Sequence, residues 1–427
     1  MSSNAIETTQ QPLATDNATG TCCRFCGSRN LRSFVDLGMS PLCQTHIKPE
    51  QLNNMEPFYP LHALVCEDCR LVQLDEFVAP DDIFSEYAYF SSFSDSWVAH
   101  AERYVVKMCD ELSLDSNSQV MEIASNDGYL LQHFVKRQVP VLGIEPAANI
   151  AEAAREKGIR TTVRFFGDDT AREIVAEYGH ADLLLGNNVL AHVPDLNGFV
   201  AGMKIVLAEH GTITMEFPHL YRQMESNQFD TIYHEHISYF SFIVVERVFA
   251  AHGLTLFDVE ELPTHGGSLR IYARHQDDES RPLTDRLKAL RQRELDDGLD
   301  TMARYHQFAD QVKRTRWNIM RFFVEAKEAG KKVVGYGAPG KGNTLLNYCG
   351  VQKDFLEFTV DRNPYKQGTY TPGTHIPILA PEVIADAKPD YIFILPWNLK
   401  EEITQSLAYT REWGCQFVIP IPEIEVI

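Results

Sequence analysis

Gln119-Val-Met-Glu122-Ile-Ala124-Ser-Asn126-Asp127-Gly128-Tyr-Leu130 reads as a short apolar strand that breaks into a tight turn and then opens a helix. Small and turn-forming residues at the break let backbone come close to a ligand. About twenty residues on, Val139-Pro-Val-Leu-Gly-Ile-Glu145 is a second apolar run, ending in an acid. Asp182-Leu-Leu-Leu-Gly-Asn187-Asn188 is a third, ending in amides. Apolar strands alternating with helical segments predict an α/β fold with a parallel sheet and crossover helices.

Three polar strand ends on one sheet edge point to a class I Rossmann-like methyltransferase domain that binds S-adenosylmethionine. The expected contacts are Glu122, Ala124, Asn126, Asp127 and Gly128 in the strand and turn, with Asn187 beside the methionine portion. Glu145 is placed to accept the ribose hydroxyls, as an acid does in dinucleotide folds. Ala124 and Asn126 stand where that pattern commonly has glycine.

Working outward, the 427 residues exceed one ordinary core, and the chain divides by composition. Residues 1–20 are polar and lack an apolar stretch, which predicts a disordered tail and no signal peptide. Residues 21–80 carry paired cysteines, 81–276 the cofactor pattern, and 277–330 a helical connector. In that connector Phe308, Val312, Ile319, Phe322 and Ala326 share one face. Residues 331–427 bring back strand-like runs (Val333–Tyr336, Phe358–Val360, Tyr391–Ile394), predicting a smaller Rossmann-like α/β domain. A net charge of −20 without a basic run argues against a nucleic-acid partner. No apolar run is long enough to span a bilayer. The cysteines are paired as for metal rather than spread as a disulfide framework, which points to a reducing compartment, so a cytoplasmic protein is expected. Oligomeric state is left open.

Cys23-Arg-Phe-Cys26 and Cys66-Glu-Asp-Cys69 form two Cys-x-x-Cys turns, the spacing of a four-thiolate zinc site. Such a site is closed by protein, so the zinc is expected to be structural. Cys22 adjoins the first pair and offers an alternative register, whereas Cys43 lacks a partner at ligand spacing.

Glu216-Phe-Pro-His219 and Tyr233-His234-Glu235-His236 concentrate titratable groups too polar for a buried strand without purpose. Strand alternation would place Tyr233 and Glu235 on one face and His234 and His236 on the other. A His base oriented by a carboxylate is the chemistry such a set offers. His192, following the third strand, can reach the same cleft. Gly335-Tyr-Gly-Ala-Pro-Gly-Lys341-Gly342 follows a strand and opens a helix, but no clear acid completes a dinucleotide fingerprint. Its alternatives are a structural turn, or a helix N-terminus at which Lys341 grips a substrate diphosphate. Bound NAD is not predicted.

Taken together, the cysteine pairs, Glu122–Leu130, Tyr233–His236, His265-Gly-Gly-Ser-Leu-Arg270 and Gly335–Gly342 resemble the sugar C-methyltransferase family of deoxysugar biosynthesis. The likeness runs from Cys23 to Ile427. It implies a zinc-binding N-terminal domain, a central cofactor domain and a C-terminal Rossmann-like domain. It also implies methyl transfer to the carbon beside the ketone of a nucleotide-linked 4-keto-deoxysugar. Carried onto this sequence, His236 is the expected base, with Tyr233 and His234 as alternatives. Tyr233 and Glu235 would orient the base or the substrate, and His192 or Tyr87 would steady an enolate oxygen. His234, His265 and Lys341 are expected at the substrate. Tyr87 and Tyr89 lie in a segment, Glu86–Ser92, that resembles the family's cap over the cofactor. Rival readings are methylation of oxygen, nitrogen or a non-sugar acceptor, and a zinc-ribbon binding module fused to a degenerate methyltransferase fold.

Overall fold

The computed structural model describes residues 22–77, 91–93 and 95–427. The expected tail, Tyr87 and Tyr89 lie outside the described residues. Among the described residues, no helix is long and apolar enough to cross a membrane.

The N-terminal sheet begins with β1 (Leu31–Ser40) and β2 (Tyr59–Cys66), antiparallel with Leu31 opposite Cys66. β3 (Val72–Gln73) follows, and the fourth strand, Ser238–Tyr239, comes from far along the chain, with Tyr239 opposite Val72. The zinc-binding segment therefore does not close its own sheet. It borrows a strand lying two residues beyond His236, which fastens the histidine segment to the N-terminal lobe.

The central sheet holds β4 (Val120–Ile123), β5 (Val141–Ile144), β6 (Thr161–Thr162), β7 (Ala181–Asn187), β8 (Leu207–Pro218), β10 (Leu254–Leu262) and β11 (Ser268–His275), with Ser238–Tyr239 numbered β9. Its order is β10-β11-β8-β7-β4-β5-β6, parallel from β6 to β8 and antiparallel at β11. β4 is buried at every position, as expected of a parallel strand covered on both faces. All three strands expected to carry the cofactor are adjacent, so their C-terminal ends form one edge.

The C-terminal sheet takes β12 (Val333–Tyr336), β13 (Thr359–Val360), β14 (Ile378–Leu379), β15 (Tyr391–Ile394), β16 (Gln416–Ile419) and β17 (Glu425–Val426), in the order β14-β13-β12-β15-β16-β17. It is parallel except at β17. The helix Met302–Glu328 runs between lobes as a spine. Its Phe308 stacks on Phe34 of β1 at 5.0 Å, and its Phe323 lies 5.0 Å from Phe393 of β15. Phe323, rather than Phe322, is the fully buried member of the apolar stripe.

Loops add polar ties between the N- and C-terminal lobes. Glu56 accepts from the Gly373 amide (2.8 Å) and pairs with His375 (2.9 Å). Asn343 donates to the Cys43 carbonyl at 2.7 Å.

Candidate active site

The cofactor turn is held in an uncommon backbone conformation. Ala124 and Asn126 adopt φ of 54° and 49°, and Gly128 φ of 74°. The first two thus take the left-handed shape that glycine usually supplies, at some cost in strain. Gly128 has no freedom to be anything larger: a Cβ there would lie 2.1 Å from Ile159 Cδ1. Glu145 locks the turn from the neighbouring strand, accepting the Asn126 amide at 2.9 Å through one oxygen and the Ala147 amide at 2.9 Å through the other. Burial pushes its carboxyl up, against those two bonds. Each oxygen retains a lone pair for a ligand hydroxyl.

A cavity of about 1040 Å³ opens over this edge. Ala124, Asn126, Glu145 and Asn187, four of the expected cofactor contacts, line one wall together with Phe165 and Phe166. Asn188 contributes a buried side-chain oxygen with no partner among the described residues. Glu122, Asp127 and Gly128 do not line it. Glu122 is buried behind the turn with neither oxygen paired among the described residues, and burial with the nearby Glu145 and Asp127 raises its carboxyl well above the usual range. Asp127 instead ties the turn to Lys157 (2.8 Å) and Ser92.

The opposite wall is the histidine segment. It forms a turn, not the alternating strand the sequence suggests, with the His236 amide bonded to the Tyr233 carbonyl at 2.9 Å. The turn therefore sends Tyr233, Glu235 and His236 together into the cavity. His234 goes the other way. It donates to the Pro60 carbonyl (3.2 Å) and packs on Tyr59 and Phe77, so a substrate contact at His234 is not what this geometry provides.

His192 Nδ1 lies 2.6 Å from the Glu235 carbonyl. A carbonyl only accepts, so Nδ1 carries the proton and Nε2 is left as the basic nitrogen. Burial lowers its pKa to about 4. The His192 and His236 rings meet edge to face at 4.7 Å, and Tyr233 covers His236 at 4.1 Å. Burial, then the nearness of His192 and His265, holds His236 well below its ordinary value. Both imidazoles are therefore neutral at physiological pH and able to accept a proton. Glu235 moves the other way, burial alone raising its carboxyl to about 7.

His265 lines the cavity with φ of 55°, its ring edge-on to Trp97 at 5.5 Å. Lys341 stands behind the wall. It lies over the Trp397 ring (4.1 Å) and donates to Asn398, and Asn398 and Leu399 are the residues that reach the cavity. Trp397 in turn donates to the buried Asp230 (2.7 Å). The glycine-rich turn does have an acid near it: Asp361, just after β13, accepts the Ala338 amide at 2.8 Å. The mouth of that turn is covered by the N-terminal lobe, where a Cβ on Gly340 would meet Cys43 Sγ at 2.9 Å and Gln44 at 3.2 Å.

Sequence reasoning missed Trp97, His100, Gln44 and Asn398. None sits in a recognisable motif, and they converge on the cavity from three different lobes.

The four cysteines converge as their spacing predicts. All four sulfurs lie within 4.8 Å of one another, Cys23 and Cys69 at 3.5 Å and Cys26 and Cys66 at 3.6 Å. Four thiolates at about 2.3 Å from one ion fit this separation and zinc's preference for sulfur. Each turn is closed by a backbone bond, Gly27 to Cys23 and Arg70 to Cys66, both 2.9 Å. The knuckle docks on the cofactor domain, for Arg24 donates to the Pro194 carbonyl at 3.2 Å, and Pro194 lines the cavity.

Family profiles match three consecutive stretches: "Putative zinc binding domain" over residues 23–84, "Methyltransferase domain" over 97–259 and "C-methyltransferase C-terminal domain" over 263–422. The chain is 35% identical to the C-methyltransferase NovU of Streptomyces niveus, over 95% of this chain and 96% of that protein. Solved structures similar to the central part include an S-adenosylmethionine-dependent methyltransferase from Clostridium acetobutylicum, with 11% identity, TM-score 0.34, and 41% of this chain and 90% of that one covered. Another, from Anabaena variabilis, has 17% identity, TM-score 0.35, and 42% and 86% covered. An S-adenosylmethionine-dependent methyltransferase with a zinc-binding N-terminal segment, this chain belongs to the C-methyltransferase family.

Proposed function

We propose that the protein methylates the carbon next to the ketone of a nucleotide-linked 4-keto-deoxysugar through an enolate. One observation carries the reading: His192, Tyr233, Glu235 and His236 line a single cavity with the cofactor-side residues Asn126, Glu145 and Asn187. The chemistry needs a neutral base, a group to stabilise the oxygen of the enolate, and a methyl donor in line.

His236 is the base. Its suppressed protonation leaves a lone pair available at neutral pH, and Tyr233 and His192 fix its ring. Glu235, ionised above about pH 7, orients the base or the substrate from the same wall. Tyr233, through its hydroxyl, donates to the developing enolate oxygen, and His265 bounds the acceptor from the far wall. On the other side Glu145 holds the ribose hydroxyls of S-adenosylmethionine, and the cofactor when bound supplies an electrophilic methyl group. Lys341 acts at one remove, orienting Asn398 toward the nucleotide end of the substrate. Carbon as the methylated atom agrees with the relative's name as a C-methyltransferase, while the sugar class rests on the motifs whose resemblance runs along the chain.

The test is hydrogen exchange in deuterated water, with thymidine-diphosphate-linked 4-keto-6-deoxyglucose as probe and S-adenosylhomocysteine bound. Wild-type protein is expected to wash deuterium into the carbon beside the ketone, and His236→Ala to abolish this while keeping its affinity for S-adenosylhomocysteine. Exchange undiminished in His236→Ala rules this residue out as the base.

A further inference from the structure

His100 lies on the helix Asp95–Leu112, outside every motif, yet it lines the cavity. Its Nε2 is 2.9 Å from Oε2 of Glu216, a fully buried carboxylate at the end of β8. Arg270 Nη2 holds the same oxygen at 2.6 Å, and Thr264 donates to the other at 3.0 Å. Although burial opposes it, the His100 bond and the Arg270 charge keep Glu216 ionised. Arg270 is itself shared with Glu260 at 3.3 Å, so its charge is balanced without help from the histidine. Arg270 Nη2 also lies 3.1 Å from His100 Nε2. The shorter contact to a carboxylate, which can only accept, puts the proton on Nε2. In the neutral ring the lone pair is then on Nδ1. That nitrogen makes no hydrogen bond among the described residues, and its ring is one of those lining the cavity.

The ring has little freedom to turn. It stacks on Trp97 at 5.0 Å and 16°, and Trp97 meets Tyr129 and His265. Its place in the sheet is also informative. Glu216 is the register partner of Asn187 across β7 and β8, and the Asn188 amide bonds the Glu216 carbonyl at 2.7 Å. In an open α/β sheet, ligands sit beyond the carboxyl ends of the strands. Glu145, proposed to hold the ribose, stands at the end of β5, three strands from β8, so His100 overlooks the acceptor end.

We propose that His100 is an acceptor-binding residue whose Nδ1 receives a hydrogen bond from a hydroxyl group of the acceptor, with the Glu216–Arg270 pair fixing its tautomer. This rests on the sugar-methylation reading above. It adds a hydroxyl-specific contact to the cavity that His236 also lines, and it selects acceptors carrying a donor there over those lacking one.

Two conservative variants separate this from a purely structural role. In His100→Asn the amide oxygen can stand near the Nδ1 position but the side chain no longer reaches Glu216. In His100→Gln the amide reaches Glu216 but nothing replaces Nδ1. The measurements are KM and kcat with thymidine-diphosphate-linked 4-keto-6-deoxyglucose, and calorimetric affinity for S-adenosylhomocysteine. The expected outcome for His100→Gln is a KM raised about 3- to 10-fold, the range one neutral hydrogen bond supplies. His100→Asn should recover most of this, and cofactor affinity should stay within about 2-fold in both, below the effect of one hydrogen bond. A benign His100→Gln with a damaged His100→Asn overturns the proposal, because only the Glu216 bond would then matter. So does a fall in S-adenosylhomocysteine affinity, which would assign Nδ1 to the cofactor's ammonium. Nitrogen-15 NMR of the imidazoles, with His100 assigned by its loss in His100→Gln, reads the tautomer independently of turnover. A proton on Nδ1 overturns the proposal, whereas a wild-type protein that turns over no keto sugar refutes the sugar reading itself.

Discussion

Glu235→Gln separates stability from activity at one buried position. The carboxyl's pKa is pushed up to about 7 from an ordinary 4.5 by burial. Its folded-state value is raised, so the folded protein binds this proton more tightly than the unfolded chain does. The cost of an ionised Glu235 is therefore absent well below pH 4.5, grows through the window from 4.5 to 7, and is constant above it. Linkage puts that cost at about 1 kcal/mol at pH 5 and about 3 kcal/mol at pH 8. Gln keeps the shape and is never charged, so the variant should be the more stable protein, increasingly so as pH rises. Differential scanning fluorimetry at the two pH values should show the Tm gap widening by roughly 2–3 °C toward pH 8. The same variant should lose activity, and the limb of the kcat/KM profile near pH 7, attributed to Glu235 ionisation, should vanish with it. A Tm gap constant with pH refutes the buried-carboxylate reasoning. A surviving limb near pH 7 assigns that ionisation to another group.

Other substitutions probe the cofactor edge and the metal site. Glu145→Gln removes the charge proposed to hold the ribose hydroxyls and should weaken S-adenosylhomocysteine about 10- to 100-fold by calorimetry, the range for charged hydrogen bonds. Gly128→Ala combines a positive φ with the Ile159 clash and should cost about 2–4 kcal/mol of stability in denaturant titration. Adding Ile159→Ala should leave that loss less than additive. Cys66→Ser should lose zinc, read by metal analysis, and lower Tm together. A folded, active, zinc-free Cys66→Ser protein would show that the site is dispensable.

Much of the fold was legible because its signals are local. β4, β5 and β7 are short apolar runs with polar ends, and the Cys-x-x-Cys turns carry their geometry in four residues each. The histidine set was legible as chemistry but not as direction. Alternation assumes a strand, whereas the chain between Phe229–Thr231 and Ser238–Tyr239 is a turn, so His234 and His236 part company. Lys341 was read from its place at a helix start, but whether it meets substrate depends on Trp397 and Asn398, dozens of residues later. His100 left no sequence signal at all. Its meaning comes from Glu216 and Arg270, brought beside it by the antiparallel pairing of β8 with β11. Burial sets the protonation of Glu235 and His236, and burial by three lobes is not written in any one segment.

The central claim, carbon methylation of a keto sugar, is tested most directly with S-adenosylmethionine carrying a carbon-13 methyl group. The purified protein would be incubated with thymidine-diphosphate-linked 4-keto-6-deoxyglucose, with its 3-deoxy and 2-deoxy relatives, and the product examined by NMR. The expected result is a labelled methyl bonded to the carbon beside the ketone, with one proton fewer on that carbon. A labelled methyl on oxygen or nitrogen, or no labelled sugar from protein that binds the cofactor, would contradict it.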